Sequence, residues 1–186
     1  MNDSQKMALL KVAKDTVKAV IAGGETVRPE TDDEELKRGC GCFVTLKNGE
    51  QLRGCIGQFT SDEPLIELIA AMAAASASRD TRFFDNPITA EELGQLDIEI
   101  SVLSPLKQTD DPLSLRPGVD GIYIKRGCVS GCFLPQVATE TGWNKEQFLS
   151  YCCAHKAGLP ADAWKDPKTE VYLFTADVFG ADWKDI

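Results

Sequence analysis

An α+β fold, with an antiparallel or mixed sheet and flanking helices in a compact two-lobed domain, is what this 186-residue sequence predicts. Three observations predict it. Helix-period segments and alternating segments are both present, but they do not follow a regular strand-helix-strand order. Asn48-Gly49 separates two β-like runs as a hairpin turn does. Leu96, Ile98, Ile100 and Val102 alternate with Asp97, Glu99 and Ser101, the pattern of a half-buried strand.

The elements follow in order. Residues 4–22 place Leu9, Leu10, Val12, Ala13, Val17, Val20 and Ile21 at helical spacing. Asp3 or Ser4 can cap this helix, and Gly23-Gly24 stops it. A polar loop with Pro29 and acids at 32–35 follows. Residues 40–57 form the hairpin. A two-residue turn would pair Lys47 with Glu50 and Cys42 with Cys55, which mixes polar and apolar residues on both faces. A three-residue turn with Gly49 as a bulge pairs Leu46 with Glu50. Cys42, Val44, Leu46, Leu52 and Ile56 then share one face, and Phe43, Thr45, Arg53 and Cys55 the other. Burial of one face specifies register, so the second pairing is expected.

Ser61-Asp62-Glu63-Pro64 opens a helix, and Leu65, Ile66, Ile69, Met72 and Ala73 are its apolar stripe. Its alanine-rich end, residues 70–77, allows close approach of another element. Residues 96–103 are a strand. A loop with Pro112 and Pro117 leads to strands at 121–125 and 129–134, a short helix at 136–141 and a helix from Asn144 to about Ala157. Asn144 and Gln147 suit a capping box. One last strand is expected at 171–178.

Composition narrows the function. A hydrophobic fraction of 43% suffices for a core. A net charge of −9 argues against general nucleic-acid binding, which depends on phosphate neutralisation. No signal-peptide core and no bilayer-length apolar run are seen, so a cytoplasmic location and no membrane contact are expected. Seven cysteines in such a compartment are expected as thiols.

The chemistry concentrates in Leu52-Arg53-Gly54-Cys55-Ile56-Gly57. Cys55 is the candidate nucleophile: Arg53 and the helix start near Glu63 could stabilise its thiolate. A nucleophilic cysteine also needs a base, and the only histidine is His155. The plainer alternative is a small packed residue. Arg53, Arg79 and Arg82, with bare amides at Gly54 and Gly57 and Asp80 to orient a guanidinium, suit a small anionic ligand. The alternative there is a surface ion-pair network. Cys40-Gly41-Cys42, Cys128 with Cys132, and Cys152-Cys153 with His155 lack the C-x-x-C spacing of a metal knuckle, so no metal is expected. With no G-x-G-x-x-G and no Walker loop, no cofactor is expected.

The hexapeptide resembles the signature of the AMMECR family, also called AmmeMemoRadiSam system protein A. Gly41-Cys42-Phe43-Val44-Thr45-Leu46 is similar to the family's strand before the turn. Ser78-Arg79-Asp80-Thr81-Arg82-Phe83 resembles its R-D-P-R-F element, with Thr81 in place of proline. Residues 98–105, Asp120-Gly121-Ile122 and Leu134-Pro135-Gln136-Val137-Ala138 resemble further blocks in the same order. Cys40, Cys42, Cys128 and Cys132 stand outside the family pattern. The resemblance implies one domain over 1–186, with the hexapeptide facing a cleft between two lobes. It also implies association with a Memo-like protein and a radical-SAM enzyme. It implies no particular reaction. The expected function is an enzyme or enzyme component, and the rival is a non-catalytic accessory protein docking onto those partners.

Overall fold

The computed structural model describes residues 1–186. The chain forms two compact units, residues 1–103 with 177–186, and residues 104–176. Both sheets are antiparallel, which settles the fold as α+β. No helix is long and apolar enough to cross a membrane.

The first unit opens with α1, Asp3–Ile21. Its cap is Asn2, one position before the expected residues: Asn2 Oδ1 accepts the Gln5 N–H, and Gln5 Oε1 accepts the Asn2 N–H, each at 2.9 Å. A single helical turn, α2 at Glu34–Lys37, is capped by Asp33 inside the acidic stretch read as loop. Strands β1, Cys42–Asn48, and β2, Gln51–Gln58, form the hairpin; α3 is Leu65–Ser78, and β3 is Leu96–Leu103. With β8, Ala176–Asp182, they make a sheet of order β2-β1-β3-β8. Cys42, Val44, Leu46, Ile98, Ile100 and Val102 form its buried face and share a core with Leu9, Ala13, Val17, Leu65, Leu68 and Ile69 of α1 and α3.

The hairpin register differs from both readings. Asn48 pairs with Gln51, so the turn residues are Gly49 and Glu50, with Gly49 at φ +57°. Lys47 then pairs with Leu52, and Leu46 with Gly54, which leaves Arg53 as the extra residue of a bulge. The bulge restores Val44 opposite Ile56 and Thr45 opposite Cys55. Cys42 is therefore a core residue and not the partner of Cys55, as expected. Leu52 falls on the Lys47 side rather than the core side. Arg53 leaves the Cys55 face: both Arg53 and Gly54 are buried toward α3.

The second unit has the sheet order β4-β7-β5-β6. Its strands are β4 Lys107–Gln108, β5 Gly121–Arg126, β6 Val129–Phe133 and β7 Glu170–Phe174. Helices α4, Pro135–Thr141, and α5, Lys145–His155, complete it, the latter with the expected Asn144–Gln147 capping box. Ile122, Ile124, Phe133 and Val171 pack with Phe148, Leu149, Cys152 and Cys153. The single strand expected at 171–178 is two strands in different sheets. The break falls at Thr175, whose N–H donates to Ser104 Oγ at 2.9 Å instead of to a neighbouring strand.

Candidate functional site

Strand β2 is an edge strand, and such a strand leaves outward N–H and C=O groups without a ladder partner. At Cys55 both are satisfied by the segment after α3. The Cys55 N–H donates to Asp80 Oδ2 at 2.9 Å, and Arg82 Nη2 donates to the Cys55 carbonyl at 3.2 Å. Asp80 and Arg82 are bound to each other through Nε to Oδ1, 2.9 Å, and Nη2 to Oδ2, 2.6 Å. Asp80 is buried, and the hydrogen bonds from Arg82, then those from the Cys55 and Arg82 amides, overcome desolvation and hold its pKa near 2. The two residues thus clamp one residue of the edge strand through the peptide groups on both sides of it.

The Cys55 side chain is half-buried on the face that Thr45 shares, and Thr45 Oγ1 donates to Sγ at 3.2 Å. No imidazole, carboxylate or amine is hydrogen-bonded to the thiol. His155 ends α5 in the second unit, its ring 5.6 Å from that of Tyr151.

The other side of β2 explains Gly54. Ser76 of α3 takes the Ile56 N–H on its hydroxyl at 2.9 Å and donates to the Val44 carbonyl at 2.8 Å. Its own carbonyl oxygen lies 2.0 Å from where a Gly54 Cβ would sit. At Gly57, a Cβ would meet the Cys42 carbonyl and the Phe43 ring. The space that the sequence assigned to a ligand at these glycines is filled by the chain itself, and the alanine-rich end of α3 permits that approach.

Arg53 is 3% exposed. Its Nε and Nη2 form a fork with Glu92, 2.6 and 3.0 Å, and Nη2 also donates to the Pro87 carbonyl at 3.2 Å. Glu92 is held in its charged form chiefly by Arg53, with help from Asn48. Nη1 is buried with no partner, and an unmade hydrogen bond at such a donor costs about 1–3 kcal/mol. The side chain lines a pocket of about 220 Å³ with Ser76, Ala77, Ser78, Asp80, Phe83, Phe84, Pro87 and Ile88. Phe83 lies beside both guanidinium groups, 6.0 Å from Arg53 and 5.5 Å from Arg82. Asp80 and Arg82 therefore meet Cys55, while Arg53 occupies the α3 side of the strand. Arg79 joins neither. It is exposed and lines a wider recess of about 810 Å³ formed by the end of α1, residues 24–30 and the outer face of α3.

Two residues of this region escaped the sequence reading, Ser76 and Glu92, while Thr45 was placed on the Cys55 face without a role. Ser76 had a signal, as the polar residue set within a buried alanine run. Glu92 had none, being 39 residues from its partner. The seven cysteines are free thiols, and no group of three or more His, Cys, Asp or Glu side chains is placed to hold a metal. Burial raises the thiol pKa of Cys42, Cys152 and Cys153, and pushes Cys132 up to about 11 despite nearby Lys156.

The family model described as AMMECR1 matches residues 10–179. A protein of Methanothermobacter thermautotrophicus is 40% identical, over 94% of this chain and 93% of its own length. Protein NEQ441 of Nanoarchaeum equitans is also 40% identical, over 95% of this chain and all of its own. The crystal structure of the uncharacterised protein PH0010 from Pyrococcus horikoshii superposes with a TM-score of 0.84 at 38% identity, covering 94% of this chain and 90% of that one.

Proposed function

The chain belongs to the AMMECR1 family, and we propose that it works as an enzyme component presenting the Cys55 thiol to a small anionic ligand. The observation that carries this is the clamp. A buried carboxylate and a guanidinium are spent on fixing the backbone of one edge-strand residue, and that residue carries a half-exposed thiol. Preorganised support of this kind is what a functional side chain needs. Arg82 is 54% exposed, and its Nη1 makes no hydrogen bond. It supplies the cationic edge for the anion beside the thiol. Because nothing on the chain is bonded to Sγ as a base, the proton acceptor comes from the ligand or from a partner, which is why the reading is a component and not a complete enzyme.

The test is capture of metabolites and partner proteins from lysate on wild type, Cys55→Ser and Arg82→Gln. The expected result is a ligand retained by wild type and lost from both variants. Equal capture by all three sinks the proposal. A second reading rests on Phe84, a ring 61% exposed next to the clamp. Large exposed aromatics anchor protein interfaces, so an accessory protein would dock a Memo-like or radical-SAM partner there. Loss of a co-purifying protein in Phe84→Asp, with retention in Cys55→Ser, selects that reading.

A further inference from the structure

The pocket on the α3 side of β2 has its own chemistry, independent of the thiol. Its charges cancel in pairs, Arg53 with Glu92 and Arg82 with Asp80. An anion entering it would face two carboxylates whose partners are already engaged. Its open hydrogen-bonding capacity is specific. Arg53 Nη1 is a buried donor without an acceptor. Ser76 is used in both directions. The Ser78 hydroxyl donates to the Ala74 carbonyl and keeps its acceptor capacity. Asp80 is saturated by Arg82 and the Cys55 amide. The remaining walls, Ala77, Phe83, Phe84, Pro87 and Ile88, are apolar. A volume of about 220 Å³ equals roughly seven waters at about 30 Å³ each, the size of a one-ring molecule.

We propose that this pocket binds a small neutral carbonyl compound of the single-ring amide class, with its carbonyl on Arg53 Nη1. An amide supplies the acceptor that Nη1 lacks and a donor for Ser78, and it brings no charge into a neutral site. A flat ring suits walls made of phenylalanine and proline. On this proposal Arg53 meets a neutral carbonyl in place of the expected anion, since its charge is already matched by Glu92.

The test uses benzamide, benzoate and benzylamine as probes on the full chain, followed by amide chemical shifts. Benzamide is expected to shift Ala77, Ser78, Phe84 and Ile88, with benzoate and benzylamine each weaker by about tenfold or more. Ala77→Leu should abolish the shifts by filling the pocket. Phe84→Ala removes a wall at an exposed position, so it keeps the fold and should weaken benzamide about threefold or more. Benzoate binding as well as benzamide overturns the proposal. So do full benzamide affinity in Phe84→Ala or in a folded Ala77→Leu, and absence of benzamide shifts at about 10 mM.

Discussion

Gly54→Ala decides between two accounts of the glycine-flanked thiol. If Gly54 is bare to admit a ligand, a methyl group there costs ligand and spares the fold. The structure requires the opposite. The new Cβ would lie 2.0 Å from the Ser76 carbonyl oxygen and 2.9 Å from its carbon, both backbone atoms of α3. Real contacts of this kind do not fall below 3.0 Å, so the helix end must retreat by about 1 Å. Overpacking of a close-packed site costs about 1–3 kcal/mol. The same retreat breaks the Ser76 bridge, which spans Ile56 N–H and Val44 C=O at 2.9 and 2.8 Å. Two such hydrogen bonds add about 1–3 kcal/mol. The expected loss is therefore about 2–6 kcal/mol, at or above the upper part of the usual range for a point substitution. Native-state hydrogen exchange at β1 and β2 amides measures it, and the Ile56 amide should lose protection beyond the global change. Gly94→Ala is the control: nothing lies within 4 Å of that position, so it should stay within about 0.5 kcal/mol of wild type. A Gly54→Ala protein equally close to wild type, with Ile56 still protected, would refute the seating of α3 on this glycine.

The clamp should appear in acid. Asp80 has a folded-state pKa of about 2, below its usual 3.8, so its stabilisation is complete above the usual value and is lost as pH falls through about 2. Urea titrations between about pH 5 and 2 should show roughly 2 kcal/mol of this loss in wild type and not in Asp80→Asn, and a parallel loss in the variant would contradict it. Arg53→Met strands a carboxylate only 16% exposed and should destabilise by about 3–5 kcal/mol, whereas Arg53→Met with Glu92→Leu should recover at least about half; additive losses in denaturant midpoints would rule out the pairing. Thiol titration without reductant should find seven thiols after denaturation. In the folded protein Cys128 and Cys55 should react well before Cys42, Cys152 and Cys153, which are buried. Early labelling of Cys42 would show β1 to be misplaced.

The elements with strong period were legible. Strand β3 falls at the expected residues, because Leu96 to Val102 alternate without interruption. Helix α5 starts at the expected cap, because Asn144 and Gln147 satisfy each other locally. What failed depended on distant partners. The bulge at Arg53 accompanies α3 closing over Gly54; a glycine within a strand signals a bulge or a close approach but does not say at which residue the register shifts. The strand break at Thr175 changes hydrogen-bond partners without a turn residue, so it reads as one extended run. For the site, the structure brings Asp80 and Arg82 to Cys55, where they bond its backbone. Arg53 lies apart from Cys55 beside a carboxylate 39 residues along the chain, and Arg79 lines another recess, because a residue adjacent to Asp80 need not point the same way.

The hexapeptide and the segment after α3 fit together because each supplies what the other lacks. Strand β2 is open on its outer edge and pressed by α3 on one face. Asp80 and Arg82 close the edge, Ser76 fills a gap in the ladder, and Gly54 and Gly57 leave room for atoms of the same chain. Most of the motif is therefore consumed in building the strand. On the two proposals above, binding falls to polar atoms with capacity left after this construction: Cys55 Sγ, which takes only the Thr45 hydroxyl, the Nη1 edge of Arg82, and the buried Nη1 of Arg53. Substitutions at Gly54, Ser76 and Asp80 should then read out mainly in stability. Cys55→Ser and Phe84→Ala should leave stability nearly unchanged and read out in binding. A stability scan that ranked Cys55→Ser beside Gly54→Ala would break this division and return the thiol to the core.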